Sequence, residues 1–108
     1  MGANKESYSP VCVGGMDYEP VAASQTDQVL GTTGSVGDYL GRLIVTVGTA
    51  ATSTVSIEDG GGSAIPIVPA TTIVGVYVVE IGARSTSGPW KVTTGAGATV
   101  VAVGKFSV

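Results

Sequence analysis

The sequence predicts an all-β fold, a compact antiparallel β-sandwich of jelly-roll-like character that carries an extended N-terminal arm. Three observations predict it. The 108 residues include 18 Val, 13 Thr and 6 Ile against 3 Leu, so residues that favour strands abound while strong helix formers are scarce. From residue 28 onward short apolar runs recur at roughly ten-residue spacing, separated by glycine-rich turns. No helical period of useful length lies between them, which argues against a βαβ arrangement. The length suits one domain, and with 44% hydrophobic residues it is too apolar to be disordered despite its 17 glycines.

Residues 1–27 read as the arm and 28–108 as the sandwich. The arm, "MGANKESYSPVCVGGMDYEPVAASQTD", shows no sustained alternation and holds both methionines, two of the four tyrosines and two of the five prolines. Its apolar residues Tyr8, Val11, Val13, Met16, Tyr18 and Val21 are the candidate contacts with a neighbouring subunit or a larger partner. Within the domain, "YLGRLIVTV" (39–47) alternates, placing Leu43, Val45 and Val47 on one face and Arg42, Ile44 and Thr46 on the other. "STVSIE" (53–58) points Val55 and Ile57 inward, and "DGGGS" (59–63) supplies a hairpin turn.

Pro66 removes a ladder donor from "AIPIV" (64–68), which predicts an edge strand or a bulge. "TIVGVYVVEI" (72–81) is apolar on both faces, which predicts cover on both, by a second sheet and by another subunit. "SGPWKVTTG" (87–95) sets Trp90, Val92 and Thr94 on one face, and "ATVVAVGKFSV" (98–108) forms the last strand.

Composition also bounds function. The net charge is −3 and the basic residues Lys5, Arg42, Arg84, Lys91 and Lys105 are scattered, whereas a nucleic-acid surface needs them clustered. No apolar run is long enough for a membrane span, and the N-terminus lacks the apolar stretch of a signal peptide, so synthesis in the cytoplasm is expected. "MGANKES" matches the myristoylation pattern only superficially, its serine falling one place late. Cys12 is the one cysteine and reads as a small apolar residue.

The motifs that could carry chemistry fail on spacing. "GTTGSVG" (31–37) fits neither the dinucleotide loop nor the phosphate loop, and a strand follows it where those loops need a helix. "TGAGATV" (94–100) fails in the same way. Histidine is absent, which removes the usual general base and the commonest metal ligand. Ser35 lies in "TGSVG", one glycine short of a nucleophile elbow. The acid pairs are Asp17 with Glu19 and Glu58 with Asp59; as neighbours on a strand Glu58 and Asp59 point to opposite faces and converge only where the turn begins between them, and "EDGGGS" (58–63) has too few carboxylates for a calcium site. The expectation is a protein that is not an enzyme, with no cofactor and no metal.

One resemblance gives the reading direction. "VLGTTGSVGDYL" (29–40), "VSIEDGGGSAIPIV" (55–68) and "RSTSGPWKVTTGAGATVVAVGKFS" (84–107), in this order, resemble a group of small virion proteins of tailed bacteriophages encoded among head genes. The resemblance implies a jelly-roll-like sandwich that decorates or cements the outer surface of an icosahedral capsid. Its partners would be the major capsid protein and further copies of itself, preferably as a homotrimer, with neither nucleic acid nor membrane involved. The alternative it implies is a head-fibre or tail knob that binds host-surface carbohydrate, with Trp90 and Tyr77 as the stacking residues.

Overall fold

The computed structural model describes residues 16–49, 53–70 and 72–108. They contain strands and no helix: β1 (Asp17–Val21), β2 (Gln28–Val29), β3 (Tyr39–Val47), β4 (Val55–Asp59), β5 (Ile65–Val68), β6 (Gly75–Arg84), β7 (Trp90–Thr93) and β8 (Ala98–Lys105). Two four-stranded antiparallel sheets pack face to face, ordered β1-β8-β3-β6 and β2-β7-β4-β5. The pairing is nested: β1 lies beside β8, β2 beside β7, β3 beside β6 and β4 beside β5. The chain is therefore one long hairpin, turned at residues 59–63 and wrapped so that β8 also meets β3 and β7 also meets β4.

Alternation explains the layers. In the first sheet Val21, Val100, Val45 and Tyr77 stand in one cross-strand row that points inward. From the second sheet Val55, Ile57, Val68, Trp90 and Val92 meet them, and Leu30, Leu40, Leu43 and Phe106 also belong to the core. Each such aliphatic side chain withdrawn from water contributes about 1.5–3 kcal/mol, offset by the cost of ordering the chain. The strand Tyr39–Val47 matches the sequence expectation end for end, Val55 and Ile57 are buried, and Pro66 lies on an edge strand. The turn after β4 closes with Gly62 N–H donating to the Asp59 carbonyl at 2.9 Å.

Two departures from the sequence reading have physical causes. First, Asp17–Val21, assigned to the arm, is a full edge strand of the first sheet, paired residue by residue with Val100–Gly104. Only Val21 on this strand enters the core, so there was too little alternation to reveal it. The inward Glu19 is satisfied instead by hydrogen bonds, its carboxylate accepting from Gln28 Nε2 at 2.9 Å and Gly31 N at 2.7 Å. Second, Leu40 pairs with Gly104 while Arg42 pairs with Val103, so Gly41 is an extra residue against β8. This bulge resets the phase and buries both Leu40 and Leu43.

Of the two apolar faces of β6, the described residues cover one. Tyr77, Ile81 and Ala83 pack on the core, whereas Val76 and Val78 are 63% and 58% exposed.

Candidate functional site

Two polar clusters stand out, and both hold loops together. Asp38, just before β3, is buried, and its carboxylate accepts four hydrogen bonds: from Ser35 N at 3.1 Å, Ser35 Oγ at 3.3 Å, Ser107 N at 3.0 Å and Ser107 Oγ at 2.7 Å. Burial alone would push this carboxyl up, but the donors of Ser107 and then Ser35 outweigh it and hold it below the ordinary range. Its backbone carbonyl also accepts from Trp90 Nε1 at 3.0 Å and from Ser85 N at 2.9 Å. Asp38 thereby ties the loop before β3 to the C-terminus and to the second sheet. Held ionised by these donors, it is poorly suited to accept a proton at neutral pH.

Asp59, opposite Trp90 in the second sheet, does similar work on the residues that follow Ser85, which Asp38 binds. Its carboxylate accepts from Ser87 N, Thr86 N and Thr86 Oγ1 at 2.8–2.9 Å, and the Ser87 amide above all lowers its pKa. Glu58 pairs in register with Lys91 on the outer side of the second sheet. No group of three or more His, Cys, Asp or Glu side chains that could hold a metal ion occurs among the described residues. Gly31, Gly34 and Gly37 all have positive φ, so the glycines of "GTTGSVG" serve the backbone of the loop rather than a phosphate.

Among the described residues, the outer face of the first sheet has nothing packed over its centre. Register aligns Pro20, Val101, Ile44 and Val78 as an apolar row across all four strands. Tyr18 and Val103 lie on one side of it, and Thr99, Thr46 and Val76 on the other. Charge is confined to the Tyr18 side, where Arg42 Nε meets Glu80 Oε2 at 3.1 Å and Lys105 Nζ meets Asp17 Oδ2 at 3.5 Å. Such exposed pairs are worth no more than about 1 kcal/mol each, so they border the row rather than stabilise the fold.

At the rim of this face runs β6, an edge strand. Val76 and Val78 are exposed along it, and Ile73 and Val74 are exposed just before it. Proteins protect such edges with charge, proline or bulges. Here the charges Glu80 and Arg84 and the irregularity opposite Gly41 are confined to the far half, and among the described residues no strand pairs with the apolar near half, residues 75–79.

The sequence candidates fall in different places. Tyr8, Val11 and Val13 lie outside the described residues. Met16 lies over Gly41, where a β-carbon would sit 3.0 Å from its Cε, Tyr18 projects outward at 73% exposure, and Val21 belongs to the core. Trp90 is 4% exposed with its indole N–H engaged, so it offers no stacking surface; it is a core residue, because a large ring needs both burial and a partner for its donor. Tyr77 is half-buried against the core and its hydroxyl donates to the Ile73 carbonyl, so the two proposed sugar-stacking residues do not form a platform. Ile44 and Val101 were not singled out, since strand register alone brings them beside Val78. Compared with protein-family models, with known proteins and with solved structures, the chain finds no match.

Proposed function

We propose that this chain is a non-enzymatic structural virion protein of a tailed bacteriophage, which decorates or cements the outer surface of the icosahedral capsid as a symmetric oligomer, trimeric by preference. The observation that carries the reading is the apolar β6 edge, where Val76 and Val78 are exposed on an edge strand and Ile73 and Val74 are exposed just before it. Such an edge fits a partner strand from the major capsid protein or from a neighbouring copy. The nested order of the strands supports a jelly-roll-like reading of the sandwich. A net charge of −3 suits the outside of a shell better than its DNA-filled interior.

Magnitudes favour a multivalent role. Covering an already half-covered valine yields less than the roughly 1.5–3 kcal/mol of full burial, while association itself costs about 4–15 kcal/mol. One such edge therefore binds weakly, and copies joined by symmetry gain from avidity. The test is cosedimentation of the full chain with capsids that lack it, together with sedimentation velocity of the free protein. Saturable binding by an oligomer is expected. A monomer that stays in the supernatant at every concentration refutes the proposal.

A further inference from the structure

We propose that the Asp59–Gly60 peptide is a latent modification site, a bond that isomerises to isoaspartate once the turn after β4 opens and that its neighbours hold unreactive while the turn stays closed. The chemistry is the chain's own and holds whatever the chain binds. Of the four aspartates, Asp17, Asp27, Asp38 and Asp59, only Asp59 is followed by glycine. An aspartate closes a succinimide ring when the next amide nitrogen attacks its Cγ, and glycine, lacking a side chain, hinders that approach least.

In the closing step the N–Cγ bond forms, and the hydroxyl of the neutral carboxyl leaves with the amide proton as one water. The ring then takes back one water. Opening at Cγ restores aspartate, whereas opening at the main-chain carbonyl leaves the backbone running through Cβ and Cγ, which is isoaspartate. No oxidant or co-reactant other than water enters.

Each participant is held away from this reaction. The nucleophile, Gly60 N, donates its hydrogen to the Pro89 carbonyl at 2.9 Å. Both oxygens of the Asp59 carboxylate accept from Thr86 N at 2.9 Å, and they also accept from Thr86 Oγ1 at 2.8 Å and Ser87 N at 2.9 Å. These donors, the Ser87 amide foremost, favour the ionised form, whereas ring closure needs the neutral acid. Rotation that would bring Cγ to the nitrogen is opposed by the Asp59 carbonyl, which accepts from Gly62 N at 2.9 Å.

The turn cannot shed the hazard by changing residue 60. Gly60 is buried at φ +59°, and a β-carbon on it would sit 2.5 Å from Gly88 N. The fold therefore needs the glycine that makes the bond labile, and the clasp from residues 86–87 is what keeps it intact. Isomerisation inserts one carbon into the main chain at the residue paired with Trp90 and takes the carboxylate from Thr86 and Ser87, so a converted turn does not close again as before.

The test incubates the full chain folded and in urea and follows Asp59 by peptide mapping, in which isoaspartate shifts retention without changing mass. Conversion at Asp59 is expected to be at least about tenfold faster in urea, because the hydrogen bonds of the carboxylate and of the Gly60 amide must be given up first. Equal rates in the two conditions, or no conversion at Asp59 in urea, overturn the proposal. Thr86→Val removes the hydroxyl donor alone and is expected to raise the folded rate about threefold or more while leaving the urea rate unchanged. Thr93→Val removes a comparable hydroxyl from Asp27 and is expected to leave the folded rate at Asp59 as it was. A folded rate in Thr86→Val equal to the parent's, or an equal rise in both variants, overturns the assignment of protection to the clasp.

Discussion

Asp38 offers the sharpest test of how the fold is locked. Asp38→Ala removes a carboxylate that accepts from the Ser35 and Ser107 amides at 3.1 and 3.0 Å and from the Ser107 hydroxyl at 2.7 Å. Each amide left without an acceptor costs about 1–3 kcal/mol, and the Ser35 amide recovers part of this from water, so the expected loss is about 3 kcal/mol. Asp38→Asn keeps one oxygen for the two amides, and the serine hydroxyls turn to accept from the new NH2 group. Its cost is the charge assistance alone, about 1 kcal/mol.

The pH dependence follows with its sign. Asp38 titrates below its ordinary value of 3.8 in the folded chain, so its contribution is complete above that value and is lost as pH falls through the lower folded value. Urea unfolding at neutral pH and through the acid range measures both effects. An alanine variant within about 0.5 kcal/mol of the parent, or an acid limb unchanged in the asparagine variant, would refute the reasoning.

Three further outcomes are expected. Gly60→Ala, at φ +59° with a β-carbon that would sit 2.5 Å from Gly88 N, costs about 2 kcal/mol or more in urea, while Gly61→Ala, with no atom within 4 Å, is neutral within about 0.5 kcal/mol. Asp59→Asn flattens the acid limb of the stability curve, because the depressed folded pKa of Asp59 gives stability present above its ordinary value and lost as pH falls through the folded one; melting temperatures against pH read it. Trp90 emission resists acrylamide quenching in the folded protein and becomes accessible in denaturant, since the ring is 4% exposed; ready quenching in the native state would contradict its place in the core.

The sequence made the strands with one wet and one buried face legible. Val55 and Ile57, or Trp90, Val92 and Thr94, alternate strictly with more exposed neighbours and stand where alternation puts them. Asp17–Val21 escaped because its inward Glu19 is satisfied by hydrogen bonds with Gln28 and Gly31, contacts that no local pattern announces. Leu40 escaped because the bulge at Gly41 shifts the phase by one residue. The second apolar face of β6 was visible as Val76 and Val78, but a run of valines does not say whether a sheet, an arm or a partner covers it. The candidate site was less legible still: Pro20, Val101, Ile44 and Val78 come from four separate segments, and only the register joins them.

The proposed role, docking of the apolar β6 edge onto a capsid, has one direct test. Its most direct measurement compares the parent with Val76→Glu/Val78→Glu in capsid cosedimentation. Both sites are exposed, so the variant is expected to keep its urea midpoint, which is measured alongside. The account predicts that the folded variant stays in the supernatant while the parent pellets with the shells to saturation. Equal pelleting of the two proteins would contradict it.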